Sequence, residues 1–343
     1  MSDALGESTI FAPGLLDGRV ALVTGGGTGL GKATALELAR CGAAVTIAGR
    51  RAEVLQLAAE EIGARGIGET GPGGVDWVAG DVRERGEAER LVQTVLERHG
   101  RMDLLVNNAG GQYFTPAELI AAKGWRAVWR LNVDGMLNMS AAAFELAFRP
   151  AGVGGIQTSA GAPAGGEASA DGGTPAGGGT SAGGGTPAGG GTPTGGGTPA
   201  GAGTSAGGGT IVNVTLSPHH GMPGMAHSGA ARATVEALTH ELALRWAEAG
   251  VAVTAVAAGH FETEALAKYP QALRAGMARS IPMQRLGTVQ EHAWLVTLLA
   301  SPLGRAFNGA TVTLDGARDN WFGPWPPPGL ADESGEVPSE ERR

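Results

Sequence analysis

An α/β fold with one doubly wound parallel sheet of seven strands is what this sequence predicts, on two observations. Short β-branched or apolar runs alternate with longer stretches of helical spacing, the pattern of strands joined by crossover helices. The strand runs are apolar at successive positions, as expected where both faces of a sheet are covered.

The elements follow in order. Residues 20–23 read as the first strand. A helix over 29–40 comes next, with Leu30, Ala33 and Leu36 at threefold spacing and Gly42 placed to stop it. Residues 44–48, 77–79 and 104–106 supply the second to fourth strands, and a long helix covers 125–148. The fifth, sixth and seventh strands are expected at 211–214, 251–256 and 310–314.

The 343 residues could hold one large domain or two ordinary ones. Residues 151–209 contain almost nothing but Gly, Ala, Pro, Thr and Ser, with Thr174, Thr180, Thr186, Thr192, Thr198, Thr204 and Thr210 marking a six-residue period. A β-helix of that period needs an apolar residue in each turn, and none is offered. Nothing therefore offsets the backbone entropy of ordering the block, and a disordered insertion is expected. Residues 1–150 and 210–317 then form a single domain. The tail, 318–343, carries Trp321, Phe322 and Trp325, then Pro326-Pro327-Pro328 and an acidic stretch. Such aromatics are expected to pack on the domain itself or on a sister subunit.

The net charge of −8 argues against nucleic acid, whose phosphates select basic surfaces. One cysteine, Cys41, excludes an internal disulfide and fits a reducing compartment. No basic start leads into an apolar run, and no stretch reaches the roughly 20 apolar residues that span a bilayer. The final Glu341-Arg342-Arg343 is not a Ser-Lys-Leu type address. A cytoplasmic protein with no membrane partner and no metal site is expected.

Gly25-x-x-x-Gly29-x-Gly31 follows a predicted strand and opens a predicted helix, the context that gives a glycine-rich turn its meaning. Such glycines let backbone N–H groups approach a pyrophosphate at the helix N-terminus. Thr28, Leu30 and the three glycines are the candidate phosphate cradle. The second strand ends in Gly49-Arg50-Arg51, where an acid would bind a ribose 2′-hydroxyl. Arg50 suits a 2′-phosphate instead, so NADP(H) is the expected cofactor. Asp81-Val82 should lie near the adenine, and Asn107-Asn108-Ala109-Gly110 ends the fourth strand at the ligand crevice.

These landmarks resemble the short-chain dehydrogenase/reductase superfamily, with its Rossmann-type fold, over everything but the repeat and the tail. Five segments narrow the resemblance to the peroxisomal trans-2-enoyl-CoA reductases and the related 2,4-dienoyl-CoA reductases. They are residues 11–16, Gly110-Gly111-Gln112, Pro116-Ala117-Glu118, Lys123-Gly124-Trp125 and the run 227–233. By that resemblance Asn132 matches the superfamily's helix asparagine. Thr263 in Ala258-Gly259-x-x-x-Thr263 matches the segment holding the nicotinamide side, with Ala258 in place of proline. Leu216 falls near the usual serine. Ser228 stands where the superfamily's Tyr-x-x-x-Lys pair has tyrosine, and Arg232 where it has lysine. The dienoyl-CoA reductases also depart from that spacing. The resemblance further implies a homo-oligomer.

The missing tyrosine bears on chemistry. Carbonyl reduction needs a proton for the developing alkoxide, which a tyrosine with a lowered pKa can give and a serine cannot readily match. Reduction of an α,β-unsaturated thioester instead puts charge on the thioester oxygen, where hydrogen-bond donors suffice. Asn132, Ser228 and Arg232 are the candidate catalytic groups. His219, His220, His227, Tyr113 and water remain open as proton sources. Asn132 also reads as a structural support of its helix, and His227 and Ser228 as helix caps. The expected reaction is NADPH-dependent reduction of an enoyl-CoA thioester. An alcohol or aldehyde dehydrogenase acting on a citronellol-like terpenoid, or a non-catalytic NADP(H)-binding scaffold, are the alternatives.

Overall fold

The computed structural model describes residues 7–64, 74–150, 208–217, 224–264, 266 and 271–321, apart from the side chains at 272 and 273. Within them β1 (Val20–Thr24) lies between β2 (Ala44–Gly49) and β4 (Leu104–Asn107), and β3 (Val75–Ala79) flanks β2. Beyond β4 come β5 (Gly209–Leu216) and β6 (Val251–Ala258). After a short parallel pair, β7 (Phe261–Glu262) with β8 (Gly287–Thr288), the strand β9 (Thr311–Leu314) closes the large sheet. All seven large-sheet strands are parallel, in the order β3-β2-β1-β4-β5-β6-β9. The expected fold and strand number are observed. The order reverses between β1 and β4, which is where such a sheet opens a ligand crevice at its carboxyl ends.

Helices cover both faces. α1 (Gly29–Arg40), α2 (Ala52–Gly63) and α8 (Val289–Ala300) bury Leu38, Leu55, Ile62 and Leu299 against Val45, Ile47, Val106 and Val212. On the other face, α3 (Arg85–His99), α5 (Gly135–Ala143) and α6 (Ala226–Trp246) bury Leu91, Met139 and Trp246 against Leu22, Leu105 and Ile211. Each fully buried Leu or Ile side chain contributes about 1.5–3 kcal/mol. The short helices α4 (Ala122–Trp129) and α7 (Gln271–Arg279) sit outside this frame.

Three details differ from expectation. In α1 the most buried positions are Gly31, Thr34, Ala35 and Leu38, whereas Leu30 and Leu36 are only partly covered. The threefold spacing thus marked the rim of the buried face rather than its centre. Gly42 does end the helix, at a positive φ of 97°. The long helix runs from Ala122 to Phe148 but widens into π turns at Arg130–Asp134 and Phe144–Phe148. β5 starts at Gly209, so that residue belongs to the sheet rather than to the insertion.

The chain divides into two units, residues 1–151 with 205–343 and residues 152–204. The second unit lies outside the described residues, as do tail residues 322–343, and with them the expectations for the repeat and most of the tail. The insertion leaves and rejoins the domain at one point, where Gly208 N donates to Phe148 O at 2.8 Å. That point is at the amino end of β5, opposite the crevice.

Candidate active site

The glycine turn is built from the main chain. Gly25 N donates to Ala48 O at 2.7 Å, which ties the turn to β2. A Cβ on Gly31 would lie 2.3 Å from Gly25 O and 2.4 Å from Asn108 Nδ2, so no other residue fits there without moving the backbone. Asn108 completes the clamp: its Nδ2 donates to Thr24 O at 3.0 Å and Gly25 O at 3.2 Å. The N–H groups of Asn108 and Ala109 both donate to Thr24 Oγ1. Thr28, extended at φ −150°, precedes α1 without capping it through its hydroxyl. The N–H groups of the first turn are therefore left without a side-chain cap, as a phosphate site at a helix N-terminus requires.

A crevice of about 670 Å³ opens over this turn. At one end it is lined by Gly49, Arg50, Arg51, Asp81 and Val82. Arg50 and Arg51 are exposed, and among the described residues neither forms an ion pair. Asp81 is engaged by Arg83, whose Nε donates to both carboxylate oxygens at 2.9 and 3.0 Å. Those bonds hold the Asp81 carboxyl below its ordinary range, with Arg50 adding a smaller pull in the same direction. Val82 is buried, and its carbonyl accepts from Asn138 Nδ2. Thr263 faces Gly29 across the crevice: a Cβ on that glycine would be 3.7 Å from Thr263 Cγ2.

At the other end the side chains decide. Arg232 lines the crevice beside Gly110 and Gly111. Its Nη1 donates to Val214 O at 2.5 Å, while Nε is buried with no partner. A Cβ on Gly110 would be 2.4 Å from Arg232 Nη2, so this glycine makes room for the guanidinium. Burial pulls Arg232 down to about 10, still charged at neutral pH, and no carboxylate among the described residues pairs with it.

Asn132 sits in the first π turn, buried, and points at backbone. Nδ2 donates to Gly111 O at 2.9 Å and Val128 O at 2.7 Å, and Oδ1 accepts from Gly111 N at 3.2 Å. Its amide is spent on holding the loop after β4, and it does not line the crevice. Ser228 is also fully buried and off the crevice wall. Its hydroxyl donates to Gln112 Oε1 at 3.2 Å, and Gln112 does line the crevice. Leu216 lines it too, whereas the neighbouring Ser217 turns its hydroxyl to Asp315.

Among the candidate acids, His227 is buried with its ring 4.4 Å from Tyr113, and neither nitrogen has a partner. Burial lowers its pKa. Neither His227 nor Tyr113 lines the crevice, and His219 and His220 lie outside the described residues. Sequence reading passed over two crevice residues, Gln112 and His260. Gln112 was noted only as part of a matching segment, and His260 only as an unspecified position before Thr263.

The short chain dehydrogenase family matches residues 19–159, and the enoyl-(acyl carrier protein) reductase branch matches residues 200–317. The solved structure of a citronellol catabolism dehydrogenase from Pseudomonas aeruginosa PAO1 is 32% identical, with a TM-score of 0.65, covering 90% of this chain and 98% of that one. A probable 2,4-dienoyl-CoA reductase of Bacillus subtilis is 29% identical over 91% of this chain and all of its own length. A peroxisomal 2,4-dienoyl-CoA reductase of Arabidopsis thaliana is 27% identical over 89% of this chain and 86% of its own. The chain belongs to the short-chain dehydrogenase/reductase family. It is an NAD(P)-dependent oxidoreductase akin to the dienoyl-CoA reductases. Among the described residues no helix is long and apolar enough to cross a membrane.

Proposed function

We infer that the protein uses NADPH to reduce the C=C bond of 2-enoyl thioesters, with an acyl-CoA as substrate. The carrying observation is that Ser228, at the tyrosine position, is buried and donates to Gln112 instead of facing the crevice. A carbonyl substrate would find no tyrosine-like acid there. An enolate oxygen would find donors. Gln112, whose Oε1 accepts from Ser228, and Arg232 both line the crevice and are the candidate donors. Preorganised donors of this kind are worth about 2.7–4 kcal/mol each where charge develops.

The cradle fits a dinucleotide. Gly29 leaves open the gap toward Thr263 that a side chain would enter, Gly31 lets the turn close on Gly25 O, and the first turn of α1 has no side-chain cap. Gly25, Thr28, Gly29 and Leu30 would hold the pyrophosphate; Asp81 and Val82 would border the adenine. Asn108, Ala109 and Gly110 would back the cofactor, and Thr263 would close over it. When bound, the nicotinamide supplies the hydride. Exposed Arg50 favours the 2′-phosphate of NADP(H) over NAD(H). Phe114, Leu131, Met225, Leu266 and Met277 give the crevice an apolar wall suited to an acyl chain.

A second reading, oxidation or reduction at an alcohol or aldehyde, is supported by the likeness to the citronellol catabolism dehydrogenase. An NADPH-oxidation panel separates the two. Crotonyl-CoA and longer enoyl thioesters are expected to be turned over and free aldehydes and ketones to be poor substrates. Brisk aldehyde reduction with no thioester turnover would overturn the reductase reading in favour of the second.

A further inference from the structure

We propose that His260 is the catalytic acid of this site, delivering a proton through Nε2 to the α-carbon of the reduced substrate; this rests on the enoyl thioester reading above. The crevice itself narrows the choice. Its described ionisable lining groups are Arg50, Arg51 and Asp81 at the nucleotide end, and Arg232, His260 and Glu264 elsewhere. Arg232 stays charged at neutral pH and is bonded to Val214 O, so it suits an anion-stabilising role and not proton exchange. Glu264 follows Thr263 and is exposed, whereas His260 is half-buried. His260 alone among these groups ionises ordinarily near neutrality.

The fold presents it for that task. His260 follows directly on β6, whose last residue Ala258 lines the crevice together with Gly259, and its own carbonyl accepts from Gly287 N at 2.9 Å. His260 lines the crevice and is half-buried, its Nδ1 buried with no partner. An imidazolium would carry a proton on that unpartnered nitrogen, so the cation is disfavoured and is a correspondingly stronger acid when it forms. The charged groups around it act in opposition. Burial lowers the His260 pKa, Arg318 lowers it further, and Asp315 raises it. Asp315 is fixed by Ser217 Oγ and by Asp319 N at 2.7 Å, so its field at the ring is steady. Arg232 on α6 and Glu264 on the ring's own segment also border the cavity, as do Arg50, Arg51 and Asp81 at its nucleotide end.

The step balances as follows. The nicotinamide, when bound, would supply the hydride that forms a C–H bond at the β-carbon, and the C=C electron pair would shift to leave charge on the thioester oxygen. That electron pair then returns to form a C–H bond at the α-carbon as the Nε2–H bond of the His260 imidazolium breaks. The neutral ring takes its next proton from water. One NADPH and one proton are consumed per double bond.

Three measurements test this on the full chain with NADPH and crotonyl-CoA. First, reduction in D2O places one deuterium at the α-carbon, and the wild type is expected to give a single configuration there. His260→Gln is expected to lose that preference and to slow turnover at least tenfold while NADPH affinity, read by fluorescence titration, is retained. Second, wild-type turnover should fall as pH rises from 6 to 8, because the His260 pKa is held below its ordinary value and the acid form is progressively lost as pH rises, and the variant should be flat. Third, in the protein without substrate, an imidazole proton resonance that is absent from the variant should titrate below the ordinary histidine value. A wild type that labels the α-carbon without preference overturns the proposal even if the variant does not fold. So does a variant that keeps both rate and configuration, or one slowed equally at every pH with configuration kept. No turnover of any enoyl thioester by the wild type would instead sink the functional reading, and this proposal with it.

Discussion

The two ends of the crevice are built from different materials. The nucleotide end is main chain: the Gly25–Gly31 turn, the α1 N-terminus and the clamp by Asn108 on Thr24 O and Gly25 O. The other end is set by side chains: Arg232 lines it, bonded to Val214 O, while behind the wall Ser228 holds Gln112 and Asn132 holds Gly111 and Val128. A main-chain site tolerates almost no substitution, because its geometry fails when a Cβ is added. A side-chain site can be rebuilt with other residues on the same frame. That difference accounts for a chain that keeps the family's nucleotide turn yet carries Ser228 and Arg232 in place of its tyrosine and lysine.

The largest effect is expected where the backbone has no slack. Gly31→Ala should weaken NADPH binding at least a hundredfold, about 3 kcal/mol, since the added carbon meets Gly25 O at 2.3 Å. Fluorescence titration reads this directly, and near-normal affinity would break the contrast. At the other end, Arg232→Ala should lower enoyl thioester turnover at least tenfold, roughly 1.4 kcal/mol of barrier. Its NADPH affinity should change less than that of the glycine variant. Converting Ser228→Tyr together with Arg232→Lys should not speed thioester reduction, because position 228 is fully buried and does not face the crevice.

Arg50→Ala sharpens the picture within the nucleotide end, where one side chain is expected to matter. A charge-assisted contact to a 2′-phosphate is worth about 1.5–3 kcal/mol, so the preference for NADPH over NADH should drop by tenfold or more. Equal affinities in the wild type would refute the assignment. The smallest effect is expected at the insertion. Removing residues 152–204 should shift the melting temperature by less than about 3 °C, equivalent to roughly 1 kcal/mol. The insertion rejoins the domain beside its point of departure, at Phe148 O and Gly208 N. A larger drop would mean that the unit supports the domain.

Legibility followed the same division. Gly25, Gly29 and Gly31 could be read from spacing because the glycine requirement arises within one turn of chain. Arg50 could be read because its place after β2 is fixed by the strand. Ser228 was legible as a departure, but its partner Gln112 lies 116 positions away, and nothing local joins them. His260 hid for a related reason. It occupies an unspecified position of its segment, and only the packing of β6 and of the chain after β9 makes it part of a crevice. Asn132 was placed in the right helix, yet the π turn that aims its amide at Gly111 leaves no mark in the apolar pattern.

By itself, then, the sequence determined the parallel sheet, the nucleotide turn and the absence of the usual tyrosine and lysine, because strand hydrophobicity, glycine spacing and residue identity are local properties. The tertiary structure decided that Ser228 faces Gln112 rather than the crevice, and that Asn132 braces a loop. It also decided that Arg232 and His260 share one cavity. Those are orientations, set by how α6, the loop after β4 and the segment after β6 pack together, and residues so far apart in the chain acquire a common chemistry only once that packing brings their side chains to one wall.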